Sequence, residues 1–225
     1  MHPLDNAVWT ALTTLQSELA NTVGIAKRFP PEMTLLGAVE HQGEEAFAAL
    51  ECLTQEAPVI LYSSSPLELP DGWSITRHVE LFQMVKEESP TSAPAIEPVE
   101  LTENDVPEMS VLYAATRPAR TLCPKIQRLG TFLGIRDDGK LVAMGGMRLH
   151  LSGYREITTV GTLPGYTGRG YGTALVHALS ARIRNAGERA FLTVRTDNDR
   201  AIGIYYRLGF KERATLHSAT IHKDR

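Results

Sequence analysis

The stretch TLPGYTGRGYGTAL (162–175) places Gly165, Gly168, Gly170 and Gly172 within eight positions, directly before a helix-like run. Glycine loses more conformational freedom on folding than any other residue, so four together need a reason. A loop whose amides close on an anion at a helix N-terminus supplies one. A triphosphate loop requires Gly, four residues and then Gly-Lys-Ser/Thr, yet here Gly172 is followed by Thr173 and Ala174. A dinucleotide fingerprint requires G-x-G-x-x-G. The chain instead spaces Gly168, Gly170 and Gly172 as G-x-G-x-G, late in the sequence and after a hairpin meander.

A second pattern lies 26 residues past Gly172, in NDRAIGIYYRLGF (198–210). Together the two segments resemble the GNAT superfamily of acyl-CoA-dependent N-acyltransferases. Gly170 and Gly172 fall on the glycines of its Arg/Gln-x-x-Gly-x-Gly/Ala signature. Asn198, Ala201, Tyr205, Gly209 and Phe210 match its N-x-x-A-x-x-x-Y-x-x-x-G-F segment. The resemblance covers about residues 98–225. Within the superfamily the chain is similar to the branch that includes the C-terminal domain of glycine N-acyltransferases, which also carry an N-terminal half. One departure stands out: Thr167 occupies the Arg/Gln position, with Arg169 close by.

The resemblance implies acetyl-CoA as co-substrate. Its pyrophosphate would meet the stretch Thr167, Gly168, Arg169, Gly170, Tyr171, Gly172 and Thr173, with Asn198 beside it. In this family the edge of the fourth strand, which splays from the fifth, holds the pantetheine and the thioester. Here that strand is EITTVGTL, and Val160 and Thr162 are the implied main-chain partners. Gly161 between them is expected to mark a bulge. Acyl transfer also needs a deprotonated amine and a proton for the leaving thiolate. An ordinary alkylamine, with a pKa of about 10.4, is mostly protonated at neutral pH, so a base is useful. Tyr205 is the implied general acid; its spacing with Ala201, Ile204 and Leu208 also suits a core position. Tyr206 is expected to point away. Glu156 is the expected base, since it coincides with the catalytic glutamate of the histone-acetylating branch; an exposed strand-edge carboxylate is the plain alternative. His150, His217 and His222 are further bases by chemistry. No His, Cys and carboxylate spacing suggests a metal, and no Gly-x-Ser-x-Gly elbow is present.

The elements that must position these residues are legible in part. Thr102 and Asp105 form a capping box that opens a helix over about 103–116. TFLGIRDDGKLVAMGGMRL reads as two strands joined at Asp138-Gly139, a strong hairpin signal. The helix after the glycines buries Ala174, Leu175, Ala178, Leu179 and Ile183 and is capped by Gly187. Next come a strand AFLTVRT, a short helix over about 198–208, and GFKERATLHSATIHK as a final strand pair. Earlier in the chain, residues 6–20 carry apolar positions at helical spacing, with Asp5 or Asn6 as N-cap. A second helix is expected at 43–53, then PVILYSS, GWSITRHV and LFQMV as separate short strands. SPTSAPAIEP (89–98), with three prolines, reads as a linker. The expected organisation is therefore a smaller α/β accessory subdomain at 1–95 and an acyltransferase domain at 96–225. The resemblance makes the latter an α/β (α+β) fold: a mixed, mostly antiparallel sheet with splayed central parallel strands, flanked by helices.

Composition bounds the rest. A net charge of -3 gives no electrostatic case for nucleic acid. No window approaches the roughly 18 apolar residues a membrane helix needs, and MHPLDNAVW lacks a secretory start, so a cytoplasmic location is the expectation. Cys52 and Cys123 form no framework and are expected to be buried or half-buried. The expected reaction is direct transfer of acetyl from acetyl-CoA to a primary amine on a small molecule or peptide. Strand edges in this family often pair across subunits, which leaves a homodimer open. Two rivals remain: an acyl-CoA-binding or regulatory module without turnover, and a dinucleotide-binding protein.

Overall fold

The computed structural model describes residues 2–55, 57–87, 95–118 and 120–224. Its helices are α1 (Ala7–Thr13), α2 (Glu44–Leu53), α3 (Val106–Thr116), α4 (Tyr171–Asn185) and α5 (Asp199–Arg207). A small sheet is built from β1 (Asn21–Val23), β2 (Ala26–Arg28) and β3 (Gly37–Val39). The main sheet uses β4 (Val59–Ser63), β5 (Trp73–Lys86), β6 (Val99–Leu101), β7 (Phe132–Asp137) and β8 (Lys140–Leu151). It is completed by β9 (Tyr154–Thr162), β10 (Arg189–Arg195) and β11 (Phe210–Lys223). Its order is β4-β11-β5-β10-β9-β8-β7-β6, and only the β9–β10 pair is parallel. The result is a mixed, mostly antiparallel α/β fold. No helix among the described residues is long and apolar enough to cross a membrane.

Local chemistry accounts for most boundaries. Asn6 caps α1 by accepting from the Trp9 amide at 3.3 Å. The helix stops at Thr13, short of the expected residue 20. The hydroxyls of Thr13 and Thr14 turn back onto Trp9 and Thr10 carbonyls at 2.8 and 2.5 Å, and Leu15 is left 51% exposed. Asp138 and Gly139 both take positive φ, 48° and 80°, as a two-residue hairpin requires. Past α4, Glu188 and Gly187 donate to Ile183 and Arg184 carbonyls at 3.1 and 2.9 Å, with Gly187 left-handed at φ 76°. Cys52, expected at least half-buried, is exposed on α2.

Two strand expectations are corrected. GWSITRHV and LFQMV are one strand, β5, and the final segment is one strand, β11, rather than a pair. Both run 14 residues because they pair with each other along nearly their whole length, across two bulges. The sheet therefore crosses the expected boundary at residue 95: β5 lies between β11 and β10. The core crosses it too. The apolar face of α1 (Ala7, Val8, Ala11, Leu12) is buried in one cluster with Met144, Leu149 and Leu151 of β8. Buried Gln16 reinforces the seam, donating to the Arg148 carbonyl at 2.9 Å and accepting from the His150 amide at 3.0 Å. Most of the expected linker, residues 89–94, lies outside the described residues.

Candidate active site

The site is an opening in the sheet. β9 and β10 pair only from Tyr154–Ile157 to Arg189–Leu192 and then part, while β9 continues to Thr162 and β10 to Arg195. A bulge helps steer β9 away. Gly146 pairs with Thr158 and Met144 with Gly161, so Thr159 and Val160 together oppose Gly145. The left-handed residue there is Thr159, φ 58°, which moves the bulge from the expected Gly161 to its neighbours. Gly161 is small for another reason: a Cβ would lie 3.1 Å from Thr116 Oγ1 and 3.2 Å from the Arg117 guanidinium. The opening is a cleft of about 1030 Å³.

One wall is the glycine loop. Gly165, Gly168 and Gly170 adopt φ of 84°, 86° and 83°, and Gly170 is the N-cap of α4. Among the described residues, no amide from Thr167 to Thr173 finds an acceptor; the first that does is Ala174, which donates to the Gly170 carbonyl at 3.0 Å. Of the residues 167–173, all but Arg169 line the cleft at the positive end of a 15-residue helix. Gly172 is the more telling glycine. Its backbone is helical, and nothing lies within 4 Å of a would-be Cβ. Folding does not require it, whereas a ligand closing on the backbone would.

The opposite wall carries Tyr205, on the buried face of α5 beside Ile202. Its ring tilts against Phe210 with centroids 5.9 Å apart, and its hydroxyl has no hydrogen-bond partner among the described residues. Burial pushes its pKa up to about 12, against a smaller pull from Arg117. Asn198 caps α5 by accepting from the Ala201 amide at 3.2 Å while lining the cleft. Tyr206 points away, exposed and hydrogen-bonded to Glu212.

Val160, Thr162, Thr167, Gly168, Gly170, Tyr171, Gly172, Thr173, Asn198 and Tyr205 all line the cleft; Arg169 and Glu156 do not. Arg169 lies over the Tyr166 ring, 4.9 Å from its centroid, and pairs with Asp137 at 3.5 Å. Glu156 is fully buried, with both carboxylate oxygens held by Arg148 at 2.7 and 2.8 Å. Arg148 also donates to Tyr62 at 3.3 Å. Burial opposes the Arg148 charge, but the Glu156 carboxylate outweighs it and holds the guanidinium protonated well above its ordinary range. A carboxylate sealed this way is not free to take a proton from a substrate. Glu156→Gln is accordingly expected to cost about 3 kcal/mol of stability in denaturant unfolding, the scale of leaving a buried partner charge uncompensated. It should leave the pH profile of any activity unchanged in shape. His150, held by Glu188 at 2.5 Å, and His217 and His222 also lie off the cleft.

What the sequence did not flag is cationic. Arg77, Arg117, Arg120, Arg195, Arg200 and Arg207 line the cleft, and among its described lining residues there is no Asp, Glu or His. Arg117 donates to the Val160 carbonyl at 2.9 Å and to Thr116 Oγ1 at 3.2 Å. Arg77 arrives from β5 because that strand outruns β10, whose pairing with it ends at Leu81. Only that long-range pairing brings it here; Arg117 and Arg120, three apart in RPAR, were a local signal.

Residues 99–210 match the family model described as Acetyltransferase (GNAT) family. The crystal structure of a GNAT-family protein from Novosphingobium aromaticivorans is similar over the whole of both chains, with a TM-score of 0.91 and 33% identity. The chain belongs to the GNAT acetyltransferase family. It is 38% identical over 84 residues to the N-alpha-acetyltransferase RimI of Mycobacterium tuberculosis, covering 36% of this chain. It is 35% identical over 75 residues to the mycothiol acetyltransferase of Corynebacterium efficiens, covering 33% of this chain. The matches span 51% of the first relative's length and 25% of the second's.

Proposed function

We propose that this chain is an N-acetyltransferase that moves acetyl from acetyl-CoA to a primary amine by direct attack in a ternary complex. The observation that carries the proposal is the row of unpartnered amides from Thr167 to Thr173, opening onto the same cleft as the unpartnered hydroxyl of Tyr205. The residues fit the co-substrate: the amides and the positive end of α4 suit a pyrophosphate, and the space beside Gly172 admits it. Val160 and Thr162 line the cleft on β9, where main-chain groups would align the pantetheine arm. Bound acetyl-CoA supplies the activated thioester. Tyr205 is proposed to give its proton to the thiolate as the C–S bond breaks, and its raised pKa keeps that proton in place through neutral pH.

No carboxylate serves as base, so we assign part of its work to charge. Cations beside an ammonium disfavour its charged form and lower its pKa. The clustered guanidinium groups of the cleft would shift the acceptor toward the reactive free amine, with water carrying off the proton. Below the acceptor's own pKa, kcat/KM is therefore expected to climb about tenfold per pH unit. A plateau that begins near pH 5, set by an enzymic carboxylate, would argue against this. In the same reading residues 1–95 are part of the site, since β5 supplies Arg77.

Thiol release from acetyl-CoA with a panel of amines tests the proposal. Amine-dependent release supports it. Coenzyme binding without release would favour the non-catalytic module, and displacement of the coenzyme by NAD would favour the dinucleotide rival.

A further inference from the structure

Four of the cleft-lining arginines, Arg77, Arg117, Arg120 and Arg195, lie outside the glycine loop in sequence, and Arg117 reaches the Val160 carbonyl. Arg77 feels the positive charges of Arg120 and Arg195, and Arg117 that of Arg120. Arg195 is paired with Asp197. Arg117 donates only to neutral oxygens, of Thr116 and Val160. Arg77 and Arg120 have no carboxylate partner among the described residues, which contrasts with Arg136, Arg148, Arg155 and Arg182, each held by a Glu.

Gathering guanidinium groups in a partly buried cleft costs stability through mutual repulsion and lost hydration. A pyrophosphate at the loop does not need these four, because the unpartnered amides and the helix N-terminus there are available to it. A second anion, at the reacting end of the cleft, would satisfy them. Guanidinium groups present paired donors that match carboxylate or phosphate oxygens.

We propose that Arg77, Arg117 and Arg120 form a subsite for an anionic group of the acceptor, which is a small amine that also carries a carboxylate or a phosphate. The inference rests on the transferase reading and narrows its substrate class. The acceptor's anion would compensate the guanidinium charges.

Calorimetry on the full chain saturated with coenzyme A tests this, using amino acids against their C-terminal amides and phosphoethanolamine against ethanolamine. At least one anionic member of a pair should bind tenfold or more tighter than its uncharged counterpart, the scale of one charge-assisted hydrogen bond; which pair responds separates carboxylate from phosphate. Arg77→Gln and Arg120→Gln should each remove most of that preference, with coenzyme affinity changed by less than about twofold. Arg77→Lys should restore part of it. Equal binding of anionic and uncharged members, no binding of any, or coenzyme affinity falling with Arg77→Gln would overturn the subsite. Thiol release on the same panel separates the two readings. A binding preference without release sinks the transferase and leaves the subsite standing, whereas release at equal rates from acids and amides does the reverse.

Discussion

Tyr205→Phe is expected to lower kcat by about 10²–10⁴-fold, the usual contribution of a positioned proton donor. Acetyl-CoA affinity should stay within about twofold. The phenylalanine keeps the ring that packs on Phe210, and the lost hydroxyl has no partner inside the protein, so the fold should be little disturbed. A thermal midpoint within a few degrees of wild type would confirm that. The split matters because a purely structural tyrosine predicts unchanged kcat and unchanged affinity. Because burial holds the Tyr205 proton up to about 12, the wild-type rate should not fall off on the alkaline side before the acceptor is fully deprotonated.

Gly170→Glu should weaken coenzyme A binding by more than a hundredfold, through two separable effects. Gly170 sits at φ 83°, ψ 0° as the α4 N-cap, and a side chain in that left-handed region costs about 1–2 kcal/mol. The added carboxylate would also enter the cleft beside the loop's unpartnered amides, and repel an incoming pyrophosphate. Gly170→Ala carries the strain without the charge and should lose only a few kelvin of thermal stability and a modest part of the affinity. If alanine and glutamate weaken binding equally, the loop's role is conformational, and the anion cradle is the wrong description.

Most of the backbone geometry of the glycine loop was legible in the sequence because it is local. Left-handed glycines and a capping box are short-range backbone devices, and Gly165, Gly168, Gly170 and the Thr102–Asp105 pair are found in those roles. The hairpin at Asp138-Gly139 is legible for the same reason. What was hidden depends on partners distant in sequence. Nothing local says that β5 will insert between β10 and β11, and that insertion alone carries Arg77 into the cleft. The burial of Glu156 was not legible because its surroundings are set by Arg148, on the neighbouring strand, and by Tyr62, 86 residues from that arginine. A glutamate four residues before Val160 fits a catalytic pattern equally well whether its carboxylate faces substrate or a buried guanidinium. Arg169 shows the same limit at short range, turned from the loop by Tyr166 and Asp137.

The central claim is that the loop from Thr167 to Thr173 is an acyl-CoA cradle. Calorimetric titration of coenzyme A into the 225-residue chain tests it most directly, with NAD as the control. The account predicts one site per chain, with a dissociation constant in the range of about 1 μM to 1 mM typical of enzyme substrates, lost in Gly170→Glu and unaffected by NAD. No saturable heat with coenzyme A up to about 1 mM, or equal binding of NAD, would contradict it.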